Sequence, residues 1–296
     1  MKSPDRARPA HRGQPENHRG PDSTRGCRRA SGPARVPPPT RRSAVLPAHA
    51  RSRWFASSDT PADPVCELLC FPHAGGGGAT FHGWQRAATS VRVSAVLLPG
   101  RERRLDEPAI ADLAELVDAL VPVVGSRTHR RYALYGHSAG ALIAFELARG
   151  LRASGFPPPA LLAVAGCEAP QAVEFDRAHD LPRDELIAWL AATGGLDPEA
   201  LAYPALVDLM LPSLRADLAL AETYVHRPGP PLETPVLVLR GADDTQVTVE
   251  GSRGWSALTS RDCRVADFPG GHFFVQEHEA DVLATVERAL TGEGPR

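Results

Sequence analysis

The chain has 296 residues, enough for one large domain or two small ones, and its 43% hydrophobic and 23% charged composition is that of a globular protein. No run approaches the roughly 18 uninterrupted apolar residues that a membrane span needs, so no membrane partner is expected. The net charge of −2 is unevenly spread: residues 1–60 carry 13 Lys and Arg against four Asp and Glu, about +9, which leaves about −11 for the remaining 236 residues.

That basic leader is proline-rich, with RVPPPTRR at Arg35–Arg42, and poor in large apolar side chains. It cannot bury enough surface to offset its ordering entropy, so residues 1–60 are expected to be a disordered Pro/Arg-rich extension. No apolar segment of a secretory signal follows the basic start. Neither an aromatic nor a zinc pattern accompanies the arginines, so nucleic acid is not expected as a partner. A folded domain is expected over residues 61–296.

The first candidate strand, Val65–Phe71, runs into Pro72-His73-Ala74 and four glycines, Gly75 to Gly78. A glycine-rich loop after a strand can cradle phosphate, but this one lacks a Gly-Lys-Ser/Thr ending and a dinucleotide fingerprint. An oxyanion loop related to the His-Gly-Gly-Gly type fits better, with the Ala74 N–H as donor. Cys66 and Cys70 share a face of this strand. The five cysteines (27, 66, 70, 167 and 263) are odd in number and scattered, and no second pair has metal spacing. Free thiols in a reducing cytoplasm are therefore expected, with no metal site.

A second strand, Val93–Leu98, leads into Pro99-Gly100 and the arginines 101, 103 and 104. These arginines either form a basic patch at the strand's carboxyl end or pair locally with Glu102, Asp106 and Glu107. After a helical pattern at Ala109–Val124 comes a third strand, Arg131–Tyr135, and then Gly136-His137-Ser138-Ala139-Gly140 and a helix, Ala139–Ala153. Gly-x-Ser-x-Gly between a strand and a helix is the nucleophile-elbow pattern. The helix start aims the Ala139 N–H at an oxyanion formed beside Ser138.

A fourth strand, Leu161–Ala165, is followed by about 70 residues with no convincing strand but with helical patterns at Asp184–Ala192, Pro198–Leu201 and Pro204–Thr223. An insertion of this length, about 170–228, is expected to act as a lid. The fifth strand, Val236–Arg240, ends in Gly241-Ala242-Asp243-Asp244-Thr245-Gln246-Val247. The spacing Gly-x-x-Asp-x-x-Val favours Asp244 as the carboxylate that orients a histidine, with Asp243 the alternative. The sixth, Arg264–Phe268, runs into Pro269-Gly270-Gly271-His272, which supplies a general base for Ser138. Near-continuous apolar strands alternating with helices mean an α/β fold, mostly parallel sheet flanked by helices.

With these residues assembled, the chain resembles a known family. CFPHAGGGGATFHGW, LLPGRERRLDEP, YALYGHSAGALIAFELAR, LPSLRADLALAETY and FPGGHFF, in that order, look like the type II thioesterases over residues from about Cys70 to the end. The resemblance implies an α/β-hydrolase fold with a helical lid. It also implies hydrolysis of stalled acyl groups from the phosphopantetheine thioester of acyl carrier or peptidyl carrier domains in polyketide and nonribosomal peptide biosynthesis. The family's catalytic roles fall on Ser138, Asp244 and His272, its oxyanion donors on Ala74 and Ala139. No metal or cofactor is implied beyond the substrate's own phosphopantetheine. Two departures stand out: Ala139 replaces a residue that is often methionine in the family, and the basic leader has no counterpart. The rival readings are a generic serine esterase, a product-releasing thioesterase and a non-catalytic hydrolase-fold binder.

Overall fold

The computed structural model describes residues 53–58, 61–173, 175, 177–196 and 199–292. Their strands are β1 (Phe55–Ser57), β2 (Cys66–Phe71), β3 (Val91–Val96), β4 (Tyr132–His137), β5 (Leu162–Ala165), β6 (Val236–Gly241) and β7 (Cys263–Phe268). The helices are α1 (His82–Ala87), α2 (Leu113–Gly125), α3 (Ala139–Ala153), α4 (Arg183–Thr193), α5 (Pro204–Glu222), α6 (Val249–Arg253), α7 (Phe274–Glu277) and α8 (Glu279–Thr291). One sheet holds all seven strands in the order β1-β3-β2-β4-β5-β6-β7, parallel except for β1, which runs antiparallel to β3.

Alternation along the strands explains the near-continuous apolar runs. Leu69 and Phe71 of β2, Leu134 of β4 and Val164 of β5 face one buried cluster, which α2 and α3 complete. Their neighbours Leu68, Cys70, Ala133, Tyr135 and Ala165 face a second, closed by Trp84 of α1 and by Val282, Leu283 and Val286 of α8. Such strands are buried on both faces, as parallel sheets require. The chain steps from β2 to β3 in one direction and from β3 past β2 to β4 in the other. The carboxyl ends of β2 and β4 therefore flank the point where the strand order reverses, the usual place for a ligand.

Two expectations need correction. A disordered leader is expected through residue 60, but Phe55, Ala56 and Ser57 pair with Val96, Ala95 and Ser94 and form the sheet's first edge. Trp54 and Phe55 are buried, and the Arg104 guanidinium lies 3.8 Å from the Trp54 ring centroid. Two buried aromatics outweigh the polar composition around them. The rest of the leader, 1–52, lies outside the described residues. The helix expected at Ala109–Val124 begins instead at Leu113, because Asp112 caps it by accepting the Glu115 N–H at 2.8 Å.

Between β5 and β6 the insertion folds as α4, a short 3-10 turn at Ala200–Ala202 and the long α5. It has an apolar cluster of its own, built from Leu186 and Leu190 of α4 and Val207, Leu211, Leu214 and Leu218 of α5. Ala74, in the glycine-rich loop after β2, packs against both this cluster and the main one.

Candidate active site

Ser138 sits at the end of β4 with φ 55° and ψ −121°, a conformation that non-glycine residues hold only where the surroundings enforce it. The enforcement is visible in the flanking glycines. A Cβ on Gly136 would lie 2.1 Å from the Gly140 carbonyl oxygen, and one on Gly140 would lie 2.4 Å from that of Phe71. Both obstacles are backbone, so neither can swing away. Strand, turn and helix approach so closely that only glycine fits at positions 136 and 140, and the Ser138 N–H is held by the Ala165 carbonyl at 2.9 Å. Ala139, the first residue of α3, has an N–H with no acceptor within the helix.

The loops after β6 and β7 bond to each other. Ala242 N–H donates to Phe268 O at 2.7 Å and Asp243 N–H to Gly270 O at 3.0 Å. This pairing leaves the Asp243 side chain exposed and turns Asp244 inward. His272 Nδ1 donates to Asp244 Oδ2 at 2.9 Å, while Asp244 Oδ1 accepts the Gln246 N–H at 2.8 Å. With Nδ1 so engaged, Nε2 is the ring nitrogen left for proton transfer. Of the two adjacent aspartates, it is Asp244 that reaches the histidine.

A second histidine ties this pair to the serine. His137, directly before Ser138, donates from Nε2 to the His272 carbonyl at 2.9 Å, and the two rings lie 5.4 Å apart. Burial, with His272 and His73 close by, holds its pKa well below the usual imidazole range, so it stays neutral and fixed in the Nε2–H tautomer. Gly166, at φ +55°, leaves room for it, since a Cβ there would lie 2.9 Å from His137 Nε2.

Four N–H groups of the glycine-rich loop and the turn after it have acceptors. Gly75 donates to Asp217 Oδ2 at 2.8 Å, Gly76 to His73 O at 2.9 Å, Ala79 to Glu102 Oε1 at 3.1 Å and Thr80 to Gly77 O at 3.2 Å. Among the described residues, the Ala74 N–H donates to no protein acceptor, the condition an oxyanion donor must meet.

Three comparisons agree on the family. The thioesterase domain family matches residues 66–290. The type II thioesterase BorB from the borrelidin biosynthetic cluster is 37% identical, with a TM-score of 0.73 over 80% of this chain and 97% of its own. The chain belongs to the type II thioesterases. The thioesterase RedJ from the prodiginine pathway of Streptomyces coelicolor is also 37% identical, with a TM-score of 0.72 over 77% of this chain and 87% of its own. The gramicidin S biosynthesis protein GrsT of Aneurinibacillus migulanus is 31% identical over 234 residues, 78% of this chain and 91% of that protein. Membership makes the chain an α/β-hydrolase acting on thioesters.

Within this thioesterase the arginines after β3 do not form an exposed patch. Arg104 is buried and bonds to Leu97 O at 2.7 Å and to Glu107. Arg103 donates to the Phe55 carbonyl. Arg101, 8% exposed, makes a bidentate pair with Asp217 of α5 at 2.6 and 2.7 Å. Of the local partners expected from the sequence, Glu107 pairs with Arg104, whereas Arg101 reaches Asp217, 116 residues away. A usable signal existed: Asp217 stands on the same helix face as Leu214 and Leu218, and an acid on a buried face needs a partner. Among the thiols, burial pushes Cys66 and Cys167 up to about 12 and Cys70 well above its ordinary value, so none is poised as a nucleophile. Among the described residues no helix is long and apolar enough to cross a membrane.

Proposed function

We propose that this protein is an editing thioesterase that hydrolyses stalled acyl groups from the phosphopantetheine thiol of acyl carrier or peptidyl carrier domains in polyketide or nonribosomal peptide biosynthesis. Ser138 Oγ attacks the thioester carbonyl while His272 Nε2 takes its proton, and Asp244 stabilises the imidazolium through Nδ1–H. The carbonyl oxygen becomes an oxyanion between the N–H groups of Ala74 and Ala139. Collapse of the tetrahedral species breaks the C–S bond, and the thiolate leaves with the proton from His272. Water, deprotonated by the same imidazole, then attacks the acyl-serine and releases the acid. Every proton passes through His272, and the reaction consumes only water.

The observation that carries this reading is the strained Ser138 backbone, locked between glycines, one residue from His137, which holds the Asp244-bound His272. The relatives' association with borrelidin, prodiginine and gramicidin S biosynthesis supports a carrier-bound substrate. An active-site fluorophosphonate should label Ser138, and hydrolysis of an acylated carrier domain should exceed that of a simple ester of the same acyl group. Absence of labelling favours the binder. Equal rates on both substrates favour a generic esterase.

A further inference from the structure

The Ala74 N–H donates to no acceptor among the described residues, and the turn that carries it is closed by the Gly76 N–H on the His73 carbonyl at 2.9 Å. Its next neighbours are held from outside. Asp217 Oδ2 takes the Gly75 N–H, and Arg101 Nη1 donates to Gly76 O at 2.8 Å while it grips Asp217. Gly75 has φ +77°, and a Cβ there would lie 2.7 Å from Leu214 Cδ1, one helical turn before Asp217. Helix α5 thus meets the loop through two residues at i and i+3, one apolar and one charged. Asp217 is 5% exposed, so the ion pair lies away from bulk water, where partners enforce orientation most strongly.

We propose that Arg101 and Asp217 are positioning residues, which use the lid helix to set the direction of the Ala74 N–H toward the developing oxyanion. The proposal rests on the thioesterase reading above and adds to it that α5 takes part in transition-state stabilisation and does more than cover the acyl chain. The Arg101–Asp217 pair is the joint between the insertion and the oxyanion loop. Misdirecting the donor weakens binding of the tetrahedral species while leaving binding of the planar thioester untouched.

The test uses the full chain and two variants. Asp217→Asn keeps one acceptor for Gly75 but loses the bidentate pair. Arg101→Met with Asp217→Leu removes both charges together, so no lone buried charge remains to unfold the protein. Each is assayed for Tm, for kcat and KM on an acylated carrier, and for affinity toward two inhibitors. An alkyl boronic acid mimics the oxyanion on Ser138; a thioether analogue mimics the intact substrate. The expected result is a loss of about tenfold in kcat for the single variant and roughly 10²-fold for the double. Boronate affinity should fall in parallel, with KM and thioether affinity within about twofold and the double variant's Tm near that of the parent. A double variant with parental kcat, equal losses for both inhibitors, or a double variant that fails to fold would each overturn the proposal. Fluorophosphonate labelling of the unaltered chain separates the cases. No labelling removes the thioesterase mechanism itself, whereas normal labelling with unaffected variants removes only the clamp.

Discussion

On the sheet side of the site the Asp244 and His272 loops bond backbone to backbone and the Ser138 N–H bonds to the Ala165 carbonyl, whereas on the insertion side the Ala74 loop meets α5 through the side chains of Leu214 and Asp217. The difference is clearest in the obstacles around two glycines. A Cβ at Gly140 would strike the Phe71 carbonyl, which is part of the sheet; one at Gly75 would strike the tip of Leu214, which can rotate. The first contact permits no adjustment and the second permits a little. Proton transfer is thus carried by the rigid side, and the Ala74 oxyanion donor by the side that can adjust.

The sharpest way to break this contrast is to remove groups from the rigid side. His272→Ala should lower kcat by roughly 10⁴-fold or more with the fold intact, because proton transfer has no substitute. Asp244→Asn should cost about 10³–10⁴-fold by releasing the imidazole from its tautomer. Asp243→Asn, whose side chain is exposed, should change kcat less than about twofold. Steady-state kinetics on an acylated carrier ranks the three. A larger effect at Asp243 than at Asp244 would mean that the loop pairing seen here does not persist in solution. The Arg101–Asp217 variants come next in size and probe the adjustable side.

The smallest expected effect on activity concerns the sheet edge, and it separates stability from chemistry. A chain beginning at residue 61 lacks β1 and the buried Trp54 and Phe55. Losing even one such aromatic costs about 3 kcal/mol, so its Tm should fall by at least about 6 °C below that of a chain beginning at residue 53. The kcat of the two folded forms should agree within about twofold, since β1 lies at the far edge from β6 and β7. Equal Tm values would show that β1 is not held in the sheet.

How much of this was legible in the sequence follows the same division. Five of the six parallel strands announced themselves because burial on both faces leaves apolar runs, whereas β7, at the sheet edge with Arg264 and Val265 exposed, was marked by its place before the histidine loop. The elbow announced itself because close backbone approach admits only glycine at positions 136 and 140. Asp244 could be preferred over Asp243 from loop spacing alone. For the Arg101–Asp217 pair the sequence offered only half a signal: Asp217 on an apolar helix face needs a partner, but a contact across 116 residues between a loop and a helix leaves no pattern that names Arg101. His137 also passed without a role, since a histidine beside a nucleophile looks like part of the motif until its Nε2 is seen on the His272 carbonyl. β1 was missed because three residues in a polar, basic stretch carry too little periodicity to stand out.

The central claim is that Ser138 forms a covalent acyl intermediate. Rapid quenching of the protein after mixing with a carrier domain bearing an acyl thioester, followed by intact mass measurement and peptide mapping, tests it directly. The account predicts a transient mass increase equal to the acyl group, located on Ser138, absent from Ser138→Ala and accompanied there by a kcat loss of roughly 10⁴-fold or more. An adduct on another residue, or Ser138→Ala turning over at near the parental rate, would contradict it.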